Sequence, residues 1–463
     1  MPMNTTAGAA PAPAPLGAPG SQGTARARDY PHIVTPPPGP RARTVVERDE
    51  AWTSPCYIKE YPLVVERGRG AMVEDVDGNR YLDFMAGIAV TATGHSHPAV
   101  VQAIKDAADR FLHICGSDFY YEEMAALCER LATLAPGPSR KRVFLTNSGT
   151  EAVDGAIKLV RNSTHRPALI AFEGAFHGRS YGAMSLTASK SRQRGGFAPL
   201  VPEVFHVPYP APYRDGAAAL SRTMDALDAL LARRLDARDV AAIFVEPVQG
   251  EGGYVVPPAG FLGKLRELCD AHDILLVCDE VQCGVGRTGR LFACEHDGVE
   301  PDVLLTAKGL GSGMPIGAII SREEVTLWER GSHGSTFGGN PVCCAAALAT
   351  LGLVVEGGLT ANAERMGDRL LEGLRALAAR HPSIGDVRGL GLMIGVELVA
   401  DRATREPAPD LVHALVQRAF ERGLLLLGAG KSTLRIAPPL VIDEYDVDTA
   451  LAMIDECLTS LGG

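Results

Sequence analysis

The feature that most constrains the fold is a series of short, continuously apolar runs that alternate with helical stretches between residues 143 and 306. Runs that are apolar throughout, rather than at every second residue, are typical of strands that helices cover on both faces. The sequence therefore predicts an α/β fold with a mostly parallel sheet wrapped by helices. The candidate strands are residues 142–145, 168–172, 242–245, 274–278 and 303–306.

Apolar residues at helical spacing predict helices both between these strands and in the C-terminal part of the chain. The predicted helices are residues 222–234, 262–272, 363–380 and 410–422. A further strand is expected at 393–398, and glycines divide residues 61–83 into short strand-like runs.

These patterns suggest two domains and a tail. We expect a large domain at 96–340, and a small α+β domain formed by an N-terminal segment at 36–95 and a C-terminal part at 341–463. Residues 1–35 are rich in alanine and proline, and we expect them to be a disordered tail. This tail carries no apolar core of the kind that a signal peptide needs.

The charge and the cysteines narrow the class of protein. A formal net charge of -10 argues against general binding to nucleic acid or to anionic membranes, so small molecules are the expected partners. The apolar run at 342–355 is too short to span a bilayer and predicts a buried helix. The 10 cysteines form no C-x-x-C pair, which favours buried, reduced thiols in a cytoplasmic protein.

Three candidate sites each follow a different predicted strand. Ser148 and Gly149 follow the first strand and open a helix, a place that suits phosphate but is equally typical of an ordinary capped helix. Asp279 follows the strand at 274–278; its neighbour Glu280 is expected to point to the opposite face. Lys308 follows the strand at 303–306 and precedes glycines, where desolvation would make its amine nucleophilic.

Taken together, the three sites match what one cofactor requires. Pyridoxal phosphate needs a cradle for its phosphate, a carboxylate for its ring nitrogen and a lysine for its aldehyde. A metal site is a weaker interpretation of the chain. His95 and His97 are close in sequence but have no third ligand nearby, so we expect turn histidines and no metal.

The order and spacing of several motifs carry a family resemblance. The sequence LLVCDEVQ at 275–282 is followed by GRTG at 286–289 and by TAKG at 306–309. Further matches are FHGR at 176–179, EPVQGEGG at 246–253, STFGGNP at 335–341 and LRIAPPL at 434–440. From about residue 31 to the C-terminus the chain resembles the class III pyridoxal-phosphate-dependent aminotransferases of fold type I, the family of 4-aminobutyrate, ornithine and acetylornithine aminotransferases.

The resemblance implies roles at the cofactor. Lys308 would form the Schiff base and shuttle the proton, and Asp279 would keep the pyridine nitrogen protonated. Phe176 would stack on the ring, Gln282 would contact its hydroxyl, and Thr336 would reach the phosphate from a second subunit. The full set of cofactor-binding residues implied by the resemblance is Ser148, Gly149, Thr150, Phe176, His177, Asp279, Gln282, Lys308 and Thr336.

The resemblance also implies substrate contacts. Arg435 would clamp the α-carboxylate of a substrate in a bidentate way, and Arg179 would bind a distal carboxylate. Glu246 would pair with Arg435 when an ω-amino substrate presents no α-carboxylate there. Ile88 is also expected to line the substrate pocket.

The expected activity is transfer of an amino group from an ω-amino acid of the 4-aminobutyrate or ornithine type to 2-oxoglutarate. A homodimer or a dimer of dimers is expected. Two enzymatic alternatives stay open: an amino-acid racemase or epimerase on the same scaffold, and an acetylornithine aminotransferase. A non-catalytic regulator is disfavoured by the joint presence of Lys308, Asp279 and Arg435.

Overall fold

The computed structural model describes residues 30–462. Helices and strands alternate along the chain, with strand pairs and short turns between the longer elements. The helices are α1 Pro40–Trp52, α2 Ala86–Ala89, α3 Pro98–Arg110, α4 Glu122–Leu134, α5 Gly149–Thr164, α6 Tyr181–Leu186, α7 Pro212–Asp215, α8 Ala219–Arg233, α9 Phe261–His272, α10 Pro341–Val355, α11 Leu359–Arg380, α12 Pro409–Glu421 and α13 Glu444–Ser460. The strands are β1 Val65–Arg69, β2 Met72–Asp75, β3 Arg80–Asp83, β4 Lys141–Thr146, β5 Ala168–Phe172, β6 Val204–Val207, β7 Val240–Val245, β8 Leu275–Asp279, β9 Val303–Thr306, β10 Gly317–Arg322, β11 Ile384–Leu390, β12 Met393–Asp401, β13 Glu406–Pro407, β14 Leu424–Leu425, β15 Leu427–Ala429 and β16 Thr433–Ile436.

A seven-stranded sheet forms the centre of the fold, in the order β4-β10-β9-β8-β7-β5-β6. Strand β10 runs antiparallel to both of its neighbours, and the remaining pairs are parallel. Every residue of β5 and β7 is buried, as continuously apolar runs predict. The predicted α/β fold is therefore confirmed, and the five predicted strands all lie in this sheet. Strands β6 and β10 were not predicted.

The direction of the strands determines where a site can form. Because β10 is antiparallel to both β4 and β9, these two strands point the same way. The carboxyl ends of β4, β8 and β9 therefore meet at one edge of the sheet, which is where open α/β sheets bind ligands.

The two ends of the described chain come together beside this sheet. Strand β14 pairs in parallel with β3, with Leu424 opposite Leu82, and so joins the C-terminal region to the sheet β1-β2-β3. Strands β11, β12, β16 and β15, with β13 paired to β12, form a separate five-stranded antiparallel sheet. The domain boundaries remain a proposal. Helix α10, which begins at the expected start of the C-terminal part, packs against α3 and α4.

The expected tail differs at its C-terminal end. Residues 1–29 lie outside the described residues, whereas residues 30–35 belong to the fold. His32 and Arg80 exchange backbone hydrogen bonds of 2.8 and 2.9 Å, and Asn79 accepts from the amides of Val34 and Thr35. The tail boundary at 35 is corrected for this reason: the polar backbone of these residues finds partners on β3 and its turn.

The apolar run at 342–355 is the buried helix that the sequence predicts, since most of α10 is inaccessible to solvent. Among the described residues, no single helix is long and apolar enough to cross a membrane. Helices α10 and α11 meet those two requirements only as a pair, and they are bent by 59° relative to each other.

Candidate active site

Lys308 lies two residues beyond the end of β9, at the start of a short 3-10 turn, Lys308–Leu310. Its backbone adopts a left-handed conformation with a φ of 37°, which a residue with a side chain rarely adopts. Burial disfavours the ammonium form and lowers the pKa of Lys308, although Glu251 and Asp279 oppose that shift. The neutral, nucleophilic amine is therefore more accessible at this position than at an ordinary lysine.

Asp279 is the last residue of β8, and its carboxylate is buried. Its Oδ2 lies 2.7 Å from Nδ1 of His177, and its Oδ1 accepts a hydrogen bond from the amide of Val281. Glu280 points away from this site, as predicted, and accepts hydrogen bonds from the amides of Ala293 and Cys294. Of the two adjacent carboxylates, Asp279 therefore faces the site, whereas Glu280 stabilises the turn at Ala293 and Cys294.

The start of α5 lies at the same edge of the sheet. Ser148 is the N-cap residue, and its hydroxyl accepts a hydrogen bond from the amide of Glu151. The carboxylate of Glu151 accepts from the amide of Asn147 rather than from Ser148, so the spacing gives only half of a capping box. A Cβ added to Gly149 would lie 2.7 Å from Cγ1 of Val281, so the site needs glycine here.

A cavity of about 410 Å³ brings these groups together. Among the residues that line it are most of the expected cofactor and substrate contacts. They are Ser148, Gly149, Thr150, Phe176, His177, Arg179, Glu246, Asp279, Gln282 and Lys308. Most of the site residues predicted from the sequence therefore line one cavity.

Two side chains of this cavity have informative contacts. The guanidinium of Arg179 lies 5.5 Å from the centre of the Phe176 ring and makes no ion pair with any residue from 30 to 462. Oε1 of Gln282 accepts a 2.8 Å hydrogen bond from the hydroxyl of Tyr254. Arg179 is therefore an uncompensated cation at the cavity, and Tyr254 fixes the orientation of the Gln282 amide.

Arg435, Ile88 and Glu251 line a second cavity of about 660 Å³, the outer cavity, whereas the 410 Å³ cavity around Lys308 is the inner cavity. The two cavities are neighbours, because Ile88 and Val90 lie in the same turn and line one cavity each. Arg435 is buried and forms an ion pair with Glu251. Burial acts to raise the pKa of Glu251, but the positive charges of Arg435, Lys190 and Lys308 leave it below its ordinary value.

Glu246, which the sequence places beside Arg435 when an ω-amino substrate is bound, does not pair with Arg435 in this structure. Glu246 accepts hydrogen bonds from the amides of Phe176 and Gly250, at 2.8 and 2.9 Å, which hold its carboxylate in the inner cavity. Burial there raises the pKa of Glu246 to about 7. Glu251, five residues further along the same loop, lies in the outer cavity and takes the place beside Arg435.

Thr336 lies in an exposed loop and lines neither cavity of its own chain. Sequence reasoning also missed three residues, namely Glu251, Tyr254 and Val281. Glu251 stood within the motif EPVQGEGG, so its signal was present but was assigned to the wrong carboxylate. Tyr254 and Val281 carry no local signal, since their roles arise from contacts with Gln282 and Gly149.

The residues present fit pyridoxal phosphate. The amides at the start of the 16-residue helix α5 suit a phosphate group, and Gly149 keeps that approach open. Asp279 is a carboxylate at the cavity wall for a protonated ring nitrogen, and Lys308 is an amine for an aldehyde. These donors line one cavity and come from three neighbouring segments of the sheet edge.

Comparison with known proteins agrees with this geometry. The chain matches the family described as aminotransferase class-III over residues 56–458. It is 41% identical over 435 residues to a 4-aminobutyrate aminotransferase of Mycobacterium leprae, covering 92% of this chain and 97% of that protein. It is 40% identical over 443 residues to an alanine/serine racemase of Pyrococcus horikoshii, covering 93% of each.

A solved structure has the same fold. The ornithine aminotransferase of Toxoplasma gondii superposes with a TM-score of 0.81 at 32% sequence identity, covering 91% of this chain and 96% of that one.

Proposed function

Because the chain belongs to the class III aminotransferases, fold type I enzymes that use pyridoxal phosphate, we propose that it transfers the amino group of an ω-amino acid to 2-oxoglutarate. The donor is of the 4-aminobutyrate or ornithine type. The proposal rests on a difference between two arginines of the site. Arg179 makes no ion pair within residues 30–462, whereas Arg435 is paired with Glu251.

The inner cavity performs the transfer step in this proposal. When bound, the cofactor supplies an electron sink for the bond at the reacting carbon. Lys308 would hold the cofactor through its Nζ until the substrate amine displaces it, and the freed Nζ would then carry the proton from the substrate carbon to the cofactor. Asp279 keeps a proton on the ring nitrogen, supported by His177 at 2.7 Å. The amides at Gly149 and Thr150 hold the phosphate, Phe176 lies against the ring, and Gln282 contacts its hydroxyl.

The outer cavity distinguishes the two substrates. An ω-amino donor places its carboxylate at Arg179 and leaves Arg435 to Glu251, since it has no carboxylate beside its amine. A dicarboxylic acceptor such as 2-oxoglutarate has one carboxylate for each arginine, so it must displace Glu251 from Arg435. An enzyme that alternates between these substrates needs one cation that can be switched.

A racemase is the second candidate, supported by the similarity to the Pyrococcus horikoshii enzyme. A racemase has no second substrate and gains little from a neutralised arginine. It also needs proton carriers on both faces of the reacting carbon. Among the described residues of the inner cavity, Lys308 is the one amine, and His177 is already bonded to Asp279.

One incubation series separates the candidates. The enzyme is given 4-aminobutyrate, 5-aminovalerate, ornithine or acetylornithine with 2-oxoglutarate, and glutamate formation is measured for each. In parallel, L-alanine and L-serine are incubated without a 2-oxo acid and their optical purity is followed. We expect fastest glutamate formation from 4-aminobutyrate or ornithine. Racemisation far faster than glutamate formation would replace this proposal with the racemase, and preference for acetylornithine would change the donor.

A second subunit completes the site in this proposal. Thr336 lies on an exposed loop, and Phe337 beside it leaves 60% of its surface accessible. A partner chain seated there would cover the apolar ring and bring Thr336 to its phosphate site.

A further inference from the structure

Lys190 is a cation of the outer cavity without a partner. It lines that cavity together with Glu251 and Arg435. Its side chain is partly buried, yet it makes no hydrogen bond or ion pair with any residue from 30 to 462. The carboxylate of Glu251 is meanwhile bound to Arg435. Lys59, Arg192, Lys431 and Glu60 also line the cavity, but Arg435 and Lys190 are the two of its cations whose charges act on Glu251.

The backbone brings Lys190 and Glu251 to the same support. Ala188 exchanges two backbone hydrogen bonds, of 2.8 and 3.2 Å, with residues 174 and 175. Gln249 donates from its side-chain amide to the carbonyl oxygen of residue 173 at 2.8 Å. The loops that carry Lys190 and Glu251 are therefore both fastened to residues 173–175, and both side chains line the same cavity.

The local backbone also fixes the position of Lys190. It is the N-cap residue of a 3-10 turn, Ser191–Gln193, and its carbonyl oxygen accepts a 3.0 Å hydrogen bond from the amide of Gln193. Its positive charge acts on Glu251 in the direction that favours the ionised carboxylate. The backbone of Lys190 is thus held in place while its ammonium group stays unpaired, so it can bind the carboxylate of Glu251 when that side chain moves.

We propose that Lys190 is the second partner of Glu251. When a substrate carboxylate binds Arg435, the side chain of Glu251 turns to Lys190; when an ω-amino donor is bound, it returns to Arg435. Without Lys190, the displaced carboxylate would lose a cation that already acts on it in a partly buried cavity, which is unfavourable. Lys190 is a positioning residue, because it acts through Glu251 and not on the substrate. The inference rests on the proposed function, which requires substrates both with and without a carboxylate beside the reacting centre.

The test compares Lys190→Met with Lys190→Arg in the cofactor-loaded full chain. Each half-reaction is followed by cofactor absorbance in single turnovers, with glutamate or with 4-aminobutyrate. For Lys190→Met we expect the apparent Kd of glutamate to rise about fivefold, the change expected from losing one partly exposed ion pair. The apparent Kd of 4-aminobutyrate should change less than about twofold, because Glu251 stays on Arg435 in that complex. Lys190→Arg should restore glutamate binding.

A double-mutant cycle shows whether Lys190 acts through Glu251. In the Glu251→Ala background, Lys190→Met should have no further effect on glutamate. An equal loss in both backgrounds would mean that Lys190 contacts the substrate directly and would overturn the proposal, as would equal weakening of both substrates or no change with either.

Calorimetric titration with glutarate repeats the cycle without any reaction, since this dicarboxylate has no amino or oxo group. The same pattern of a loss in wild type and none in Glu251→Ala is expected. If the wild-type enzyme uses neither 4-aminobutyrate nor ornithine as a donor, the proposed function is wrong, while the glutarate cycle still decides for or against Lys190.

Discussion

The buried charged groups of the inner cavity shift one another's pKa values. Burial lowers the pKa of Lys308 and would also lower that of His177. For His177, however, the hydrogen bond to Asp279 and the charge of that carboxylate raise the pKa above its ordinary value. The two basic groups are thus pushed in opposite directions: the lysine towards a neutral nucleophile, and the histidine towards a cation that faces Asp279.

The lowered pKa of Lys308 can be measured as cofactor attachment. Attack on the cofactor aldehyde needs the neutral amine, and a lower pKa gives more of it at any given pH. In cofactor-free enzyme mixed with pyridoxal phosphate, we expect the attachment rate to rise with pH and to level off below 10.5, the ordinary lysine pKa. Stopped-flow absorbance checks this, and borohydride trapping with peptide mapping should find the label on Lys308. A label on another lysine would contradict the assignment.

The charge of Asp279 should matter far more than its shape. Asp279→Asn keeps the size of the side chain but removes the negative charge that faces the ring nitrogen and His177. We expect the transamination rate to fall at least about a hundredfold, since losing the charge partner of a buried group costs about 3 kcal/mol. Circular dichroism should be unchanged. The matched control is Asp225→Asn on the exposed face of α8, which should retain wild-type turnover. Near-normal turnover of Asp279→Asn would assign the role to another residue.

At the scale of elements, the start of α5 has two tasks. Its first amides must stay free for a phosphate, and its backbone must pass close to Val281 from the loop after β8. Gly149 permits both, because an added Cβ would meet Val281 at 2.7 Å. Thr150 connects the helix to the loop that carries Arg179, because the hydroxyl of Thr150 accepts a 3.1 Å hydrogen bond from the backbone amide of Arg179. A shift of α5 therefore moves both the phosphate site and an arginine.

Gly149→Ala should weaken the cofactor more than it destabilises the fold. The added methyl group must displace Val281 or the helix start, which costs about 1–3 kcal/mol in a packed site. We expect the Kd of pyridoxal phosphate, measured by fluorescence titration of cofactor-free enzyme, to rise about tenfold. Gly263→Ala is the control, because a Cβ at this position of α9 meets nothing within 4 Å. If both variants bind the cofactor like wild type, the close approach at Gly149 does not matter.

The sequence predicted elements better where burial alone determines them. The runs at 168–172 and 303–306 coincide with β5 and β9, because strands buried on both faces are apolar from end to end. The helix predicted at 262–272 begins one residue earlier, at Phe261. Strand β10 was missed, although five of its six residues are buried, because its apolar run at 318–320 is shorter than the four residues of a typical strand pattern.

Long-range pairing explains what the sequence could not provide at the site. Arg435 and Glu251 are 184 residues apart, and the choice between Glu251 and Glu246 depends on which way one loop turns after β7. The amides of Phe176 and Gly250 decide it by holding Glu246 inside. Motif order located the loop correctly, but only the folded backbone distinguishes its two carboxylates.

At the scale of the whole molecule, an exposed apolar surface surrounds the Thr336 loop. Its members are large apolar side chains that leave more than half of their area accessible: Leu112, Phe119, Tyr120 and Phe337. The segments that carry them meet: His113 and Phe337 pack ring to ring at 4.9 Å, and Asn340 donates to the carbonyl of Leu112. The hydroxyl of Tyr121, next to Phe119 and Tyr120, donates to the carbonyl of Gly339 in the same loop. Large apolar patches on a folded chain mark contact surfaces for other proteins.

This surface predicts that the active enzyme is a dimer whose contact includes Phe337. Phe337→Glu places a charge at the centre of the patch, and burying it without a partner in a subunit contact is unfavourable by several kcal/mol. We expect light scattering to give the mass of one chain for this variant, against at least two for wild type. Its affinity for pyridoxal phosphate should fall with dimer loss, because Thr336 of the second chain no longer reaches the phosphate. Val65→Glu, at an equally exposed apolar residue of β1, should leave both mass and affinity unchanged. A wild-type enzyme that is monomeric and fully active at the same concentration would rule out the shared site, whereas a monomeric Phe337→Glu variant with unaltered cofactor affinity would keep the dimer and remove Thr336 from it.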